Sequence, residues 1–228
     1  MTAGRRWVAE AVATALLLAT VVGSGIMGER LAGGNVAIAL LANSLATGAG
    51  LVALILTFGS VSGAHMNPVV TLALASQGEL PWRQVPGYLA AQFVGAPAGV
   101  VLAHVMFGEP LIAYSRHVRS GAAQLVSEVV ATFGLLAVVW ACTRRRPAVA
   151  PFAVGAYITA AYWFTASTSF ANPAVTFARA LTDTFAGIRP ADAPAFIAAQ
   201  VVGAALATAL FRWLLPRLPE ATRIEEPV

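Results

Sequence analysis

The chain is written in long apolar runs broken by short polar interruptions. Eighteen uncharged residues separate Glu10 from Glu29. From Leu31 to Gly78, forty-eight residues, His65 is the one side chain that can carry charge at neutral pH. Gln84–Gly108 holds only His104, Ser120–Thr143 only Glu128, and Pro147–Ala178 and Ala193–Phe211 hold none. A bilayer crossing takes about 20 apolar residues. The runs therefore predict six crossing helices, near 7–28, 36–58, 86–107, 121–142, 150–168 and 193–215. Two apolar pieces, near 67–77 and 173–181, remain, each about half the length of a crossing.

Both leftover pieces begin with the same signal. Asn67-Pro68-Val69-Val70-Thr71 is nearly repeated as Asn172-Pro173-Ala174-Val175-Thr176, 105 positions later. Asn caps the free backbone N–H groups of a new helix, and Pro fits the first helical position, where no N–H is needed. A helix that starts inside a bilayer turns its positive dipole end and a polar amide into the hydrocarbon depth. That is tolerable only where the helix start lines a cavity or pore. The pattern predicts a conduit.

Composition agrees: 58% of the residues are hydrophobic and 11% charged, and the mean hydropathy is +0.76. These values mark an integral membrane protein. Arg5 and Arg6 ahead of an apolar run also resemble a secretory leader. The run is long, however, and Gly23-Ser24-Gly25 leads into a second helix, so an uncleaved span is expected. All fourteen basic residues are arginine. Arg5, Arg6, Arg83, Arg144, Arg145, Arg146, Arg212, Arg217 and Arg223 fall on one side of the six-helix pattern, and Arg30, Arg116, Arg119 and Arg189 on the other. The positive-inside rule then places both termini in the cytoplasm of a cell (inner) membrane protein. The basic balance is thus accounted for by topology, and no nucleic-acid partner is implied. One cysteine, Cys142, excludes a disulfide framework and a cysteine metal site.

The two halves match further. Glu10-Ala11-Val12-Ala13-Thr14 resembles Glu128-Val129-Val130-Ala131-Thr132, and the Gln92 segment Tyr88–Ala96 resembles the Gln200 segment Phe196–Ala204. Each half reads Glu helix, plain helix, Asn-Pro half-helix, Gln helix: about 7–107, then about 121–215. With three crossings per half, the second half enters from the opposite side. In such an inverted repeat the ligand path lies near the midplane, where the repeats meet. Gly95 and Gly99, Gly203 and Ala207, and Gly23 with Gly48 and Gly50 are small enough to let helices approach closely.

These landmarks resemble the aquaporin/glyceroporin (major intrinsic protein) family over about residues 7–215. Ser62-Gly63-Ala64-His65-Met66-Asn67-Pro68-Val69-Val70-Thr71 is similar to the family's first signature, with Val69 where Ala is usual; the second Asn-Pro-Ala, Asn172-Pro173-Ala174, is intact. The resemblance implies an all-α membrane protein of six transmembrane helices and two re-entrant half-helices forming one channel domain. It also implies a homotetramer in lipid with one pore per subunit, and no cofactor. Asn67, Pro68, Val69, Asn172, Pro173 and Ala174 would then form the pore midplane. Glu10, Glu128, His65, Gln92 and Gln200 would brace the half-helices, with a pH gate at His65 as a second reading. A carboxylate inside a bilayer is costly unless partnered, which fits bracing.

One departure stands out. The residue after the second Asn-Pro-Ala is usually arginine in the family, and here it is Val175. By the family's spacings the rest of the constriction is Thr47, Ser169 and either Ala160 or Tyr162. Ala160 would leave the ring wide, whereas Tyr162 would narrow it and add a hydroxyl. Such a ring implies passage of small neutral solutes (glycerol, urea or hydroxylated metalloids such as arsenite) and of water, with strict water selectivity as the alternative. Without the arginine, exclusion of protons and cations would rest on the midplane dipoles. Arg179 lies one helical turn beyond Val175 on the same face. It reads either as a displaced arginine at the outer mouth or as a surface or inter-helix residue pairing with Asp183. A proton-coupled transporter would need more intramembrane acids than Glu10 and Glu128. An enzyme is not indicated: the chain has no Ser/His/Asp set, no metal-ligand spacing and no phosphate-binding glycine loop.

Overall fold

Eight α-helices organise residues 1–215, the part of the chain that the computed structural model describes. The Arg/Glu-bearing tail Pro216–Val228, expected as a cytoplasmic end, lies outside the described residues, and with it Arg217 and Arg223. The helices are α1 (Ala3–Leu31), α2 (Val36–Ser62), α3 (Pro68–Ser76), α4 (Val85–Phe107), α5 (Ala122–Arg145), α6 (Ala150–Phe164), α7 (Pro173–Arg179) and α8 (Ala193–Leu214). Local chemistry sets their ends. The Asn35 side chain accepts from the N–H groups of Ala37 and Ile38 to start α2. Gly63 and Gly108 end α2 and α4 at φ 91° and 70°, backbone angles that glycine adopts without strain.

The short helices α3 and α7 stand where the leftover apolar pieces were expected. The fifth long helix differs from its expected span of 150–168. It stops at Phe164, because Thr165 turns extended and begins the descent into the second re-entrant loop. Among the described residues, five helical stretches are long and apolar enough to cross a membrane, those containing α1, α2, α4, α5 and α8. Helix α6 has 15 residues, with one 3-10 turn, Pro147–Val149, ahead of it.

The bundle is inside-out relative to a water-soluble one. Leu16, Leu45, Leu56, Phe152, Trp163 and Leu206 face outward, whereas Glu10, Gln92, Glu128 and Gln200 are fully buried. The principal pairs are α1 with α4 and with α2 in the first half and α5 with α8 in the second, while α2 packs on α6 across the halves. Glycine makes these approaches possible, since lipid supplies no hydrophobic drive between helices. A Cβ on Gly95 or Gly99 would sit 2.3 or 2.1 Å from the carbonyl oxygen of Ala11 or Ala15 on α1. Gly203 meets Val129 on α5 in the same way, at 2.4 Å. Gly48 packs against Thr159 and Gly155 of α6, and Gly50 against Thr20 of α1. Gly23 faces the Phe107 ring, so it does not pair with Gly48 and Gly50 as expected.

Overpacking such a seam costs about 1–3 kcal/mol or more. Gly99→Leu is expected to lower the melting temperature of the detergent-solubilised protein, followed by size-exclusion chromatography after heating. Gly4→Ala, with nothing within 4 Å of the added carbon, is expected to leave it unchanged.

Candidate functional site: a pore where two half-helices meet

Each half-helix is entered through a loop that L-residues adopt reluctantly. Ala64 and Met66 before α3, and Thr168, Ser169 and Ala171 before α7, have φ between 48° and 60°. Such left-handed backbone costs of order 1–3 kcal/mol per residue and persists only where its surroundings over-determine it. Two buried carboxylates supply that constraint. Glu10 accepts from His65 N at 2.8 Å and Ser62 Oγ at 2.7 Å on one oxygen, and from Met66 N and Gln92 Nε2, both at 2.8 Å, on the other. Glu128 accepts from Phe170 N and Ala171 N at 2.9 Å and from Gln200 Nε2 at 2.6 Å. The glutamines also reach forward. Gln92 donates to Thr71 Oγ1 at 3.0 Å and Gln200 to Thr176 Oγ1 at 2.8 Å, and each threonine hydroxyl donates to the carbonyl of its own cap asparagine.

Between the loops the two caps hold each other. Asn67 Oδ1 accepts from Val69 N, and Asn172 Oδ1 from Ala174 N and Val175 N. Asn67 Nδ2 donates to Ala171 O at 2.8 Å, and Asn172 Nδ2 to Met66 O at 2.7 Å. Each amide N–H₂ has a second hydrogen left, and both asparagines line a cavity that runs through the bundle. Pro68, Val69, Pro173 and Ala174, expected at the pore midplane with them, do not line that cavity. They are buried beside it, on the part of each first turn facing away from the opening that Asn67, Val70, Asn172 and Val175 line.

The cavity, about 140 Å³, is lined from both halves, from Thr143 and Ala150 at one end, past His65, to Arg179 at the other. One wall is aliphatic, with Leu17, Val21, Leu51, Ile55, Val154 and Ile158. His65 is held by its own N–H on Glu10 and by a 3.0 Å contact of Nδ1 with Thr71 Oγ1, with its ring 5.0 Å from that of Tyr88. On the α7 side of the asparagines, Thr47, Tyr162, Ser169 and Val175 all reach the cavity. Of the two candidates for the fourth position, Tyr162 lines this cavity. Tyr162 is buried with its hydroxyl 3.2 Å from Thr47 Oγ1, while Ala160 is exposed on the outer face of α6. The two lie two residues apart, about 200° around a helix, so only one can face inward. The Ser169 hydroxyl is buried without a partner among the described residues.

Arg179 also lines the cavity, and it does not pair with Asp183. Asp183 is taken by Arg116, whose backbone N–H and then its guanidinium hold the carboxyl below the ordinary aspartate range. Arg179 instead lies over the Phe170 ring, its Cζ 3.4 Å from the centroid, and donates through Nε to Ala186 O. Sequence reasoning missed the two threonines, although the fifth residue of each repeated pentapeptide sits one turn from its asparagine and could have been found. It also missed Arg119, which anchors the loops by donating to Gly187 O at 2.8 Å; no local pattern marks it.

A family model described as Major intrinsic protein matches residues 1–169 and 146–226. The chain belongs to this family. Major intrinsic proteins are channels, not enzymes, and this member is similar to several relatives. It is 55% identical over 211 residues to Aquaglyceroporin AqpS of Rhizobium meliloti (strain 1021), covering 92% of this chain and 90% of that one. It is 32% identical over 244 residues to Probable aquaporin AqpM of Archaeoglobus fulgidus, covering 94% and 98%. It is also 39% identical over 184 residues to Aquaporin NIP2-1 of Oryza sativa subsp. japonica, covering 78% of this chain and 60% of that protein. The X-ray structure of the aquaglyceroporin from Plasmodium falciparum shares the fold, with a TM-score of 0.71 at 20% identity over 94% of this chain and 98% of that one.

Glu128→Leu would leave two strained backbone N–H groups without acceptors in the bilayer. At about 1–3 kcal/mol for each orphaned donor, the variant is expected to melt well below the parent in detergent.

Proposed function

We propose that the chain is a passive pore for small neutral solutes carrying hydroxyl or amide groups, glycerol foremost, and for water. The observation that carries this reading is the ring on the α7 side of the asparagines. It sets the hydroxyls of Thr47, Tyr162 and Ser169 against the aliphatic Val175. A hydroxyl both donates and accepts, so this edge matches a solute that does the same. Carbon-bound hydrogens of the solute slide along Val175 and the aliphatic wall. The relative named as an aquaglyceroporin supports the same solute class. Urea and neutral metalloid hydroxides such as arsenite, As(OH)3, present the same polar edge in a similar size.

Strict water selectivity is the second reading, and the Tyr162 ring at the cavity wall favours it by narrowing the constriction. Proton-coupled transport has less support, since Glu10 and Glu128 are each held by three or more donors. We assign one channel domain, residues 1–228, to each pore. The subunits form a homotetramer in the inner membrane, with both termini cytoplasmic and the α7 mouth outside. The arginine distribution supports that orientation.

Proteoliposomes challenged with a glycerol gradient in stopped-flow light scattering are expected to shrink fast and then reswell fast. Fast shrinkage without reswelling would overturn the solute reading in favour of water selectivity. Val175→Arg is expected to lower the ratio of glycerol to water permeability by about an order of magnitude, because a guanidinium would fill the ring and add a barrier. An unchanged ratio would remove Val175 from the filter.

A further inference from the structure

The mouth on the α7 side holds more positive charge than its carboxylates answer. Three arginines there are paired: Arg30 with Glu109 at 2.8 Å, and Arg116 with Asp183 and Arg189 with Asp192, both at 2.7 Å. Arg119 and Arg179 have no carboxylate within salt-bridge distance among the described residues. Both face the Phe170 ring, with Cζ atoms 5.1 and 3.4 Å from its centroid. The acid acting on Arg179 is Glu128, and both its oxygens already accept from Phe170, Ala171 and Gln200.

Arg179 is 2% exposed and lines the cavity. Its one hydrogen bond among the described residues goes from Nε to Ala186 O. The ring beneath and the carbonyl beside it fix the plane of the guanidinium, and Nη1 and Nη2 are left without a partner among the described residues. That free end is the edge of a guanidinium that grips two oxygens of a planar anion at once. A buried cation without a partnered anion is costly, so the site favours whatever anion can enter the cavity. Farther in, the N-termini of α3 and α7 meet at Asn67 and Asn172 and add positive dipole ends on the same path.

We infer that Arg179 is a binding subsite for a small planar oxyanion, of carboxylate or nitrate shape, at the α7 mouth of the pore. Neutral solutes pass it, cations are repelled by it, and a planar monoanion occupies it. The site thereby restores at the mouth the positive charge that Val175 leaves out of the ring. The inference rests on the reading of the cavity as a pore only for its effect on flux.

Nitrate is a suitable probe because it is planar and does not permeate the bilayer as a neutral acid; chloride at equal concentration controls for ionic strength. Binding is read as the nitrate-dependent rise in melting temperature of the detergent-solubilised full chain. Flux is read as glycerol entry into proteoliposomes with nitrate relative to the same protein without it. The parent protein is expected to melt higher in nitrate than in chloride, and its glycerol entry to slow at least threefold more in nitrate. Arg179→Gln, confirmed as folded by its size-exclusion profile, is expected to respond alike to the two salts. Arg179→Lys, which keeps the charge without the fork, is expected to respond to nitrate no more than to chloride. A nitrate-specific melting shift in a protein that passes no glycerol would keep the subsite and overturn the pore reading. Glycerol flux with no nitrate-specific effect in the parent would overturn the subsite and keep the pore. A nitrate effect surviving in Arg179→Gln would also overturn it.

Discussion

The pore depends on two carboxylates that never touch its contents. Glu10 and Glu128 lie behind the re-entrant loops, fully buried, and accept the backbone N–H groups that those loops cannot satisfy themselves. A carboxylate is acceptor-only, with room for about four donors, and Glu10 uses that capacity completely. Desolvating the charge is costly, and the donors around it offset that cost. Without these anchors, residues with φ near 50° would relax and the half-helix starts would lose their aim.

The same arrangement occurs twice with small differences. Both halves use a glutamate, a glutamine, a threonine and a capping asparagine in the same sequence of hydrogen bonds. The first half adds Ser62 and His65, while the second is backed by Phe170, packed edge-on against Phe196 at 5.3 Å. The Phe170 face also receives two guanidiniums. The α3 half is therefore tuned by a polar network, and the α7 half by aromatic and cationic packing. The residues that differ between the repeats are those that give the two mouths different chemistry.

Much of this was legible in the sequence. Charge-free runs located the long helices, since a bilayer tolerates few unpartnered charges, and the repeated Asn-Pro located both half-helix starts. Tertiary geometry was not legible. Whether Ala160 or Tyr162 faces inward depends on where α6 ends, and the chain leaves helix at Thr165, with no glycine or proline there to announce it. The neighbours of Arg179 were hidden for a similar reason. Spacing along one helix suggested Asp183, but the loop 180–192 folds back so that Ala186 O lies beside the guanidinium and Asp183 turns to Arg116. Glycine seams were readable as small residues but not as pairs, because the partner of Gly48 lies on α6 in the other half.

The reciprocal clasp of the two asparagines bears on how the molecule is made. The acceptor for Asn67 Nδ2 is Ala171 O, 104 residues further along the chain. At about 5–20 residues per second, a ribosome supplies that acceptor roughly 5–20 s after Asn67. During that interval the first half has its carboxylate brace available but no opposite loop to close against. Closing the midplane of each subunit is therefore a meeting of halves, and the nascent first half must keep a polar amide hydrated or sheltered until its counterpart arrives.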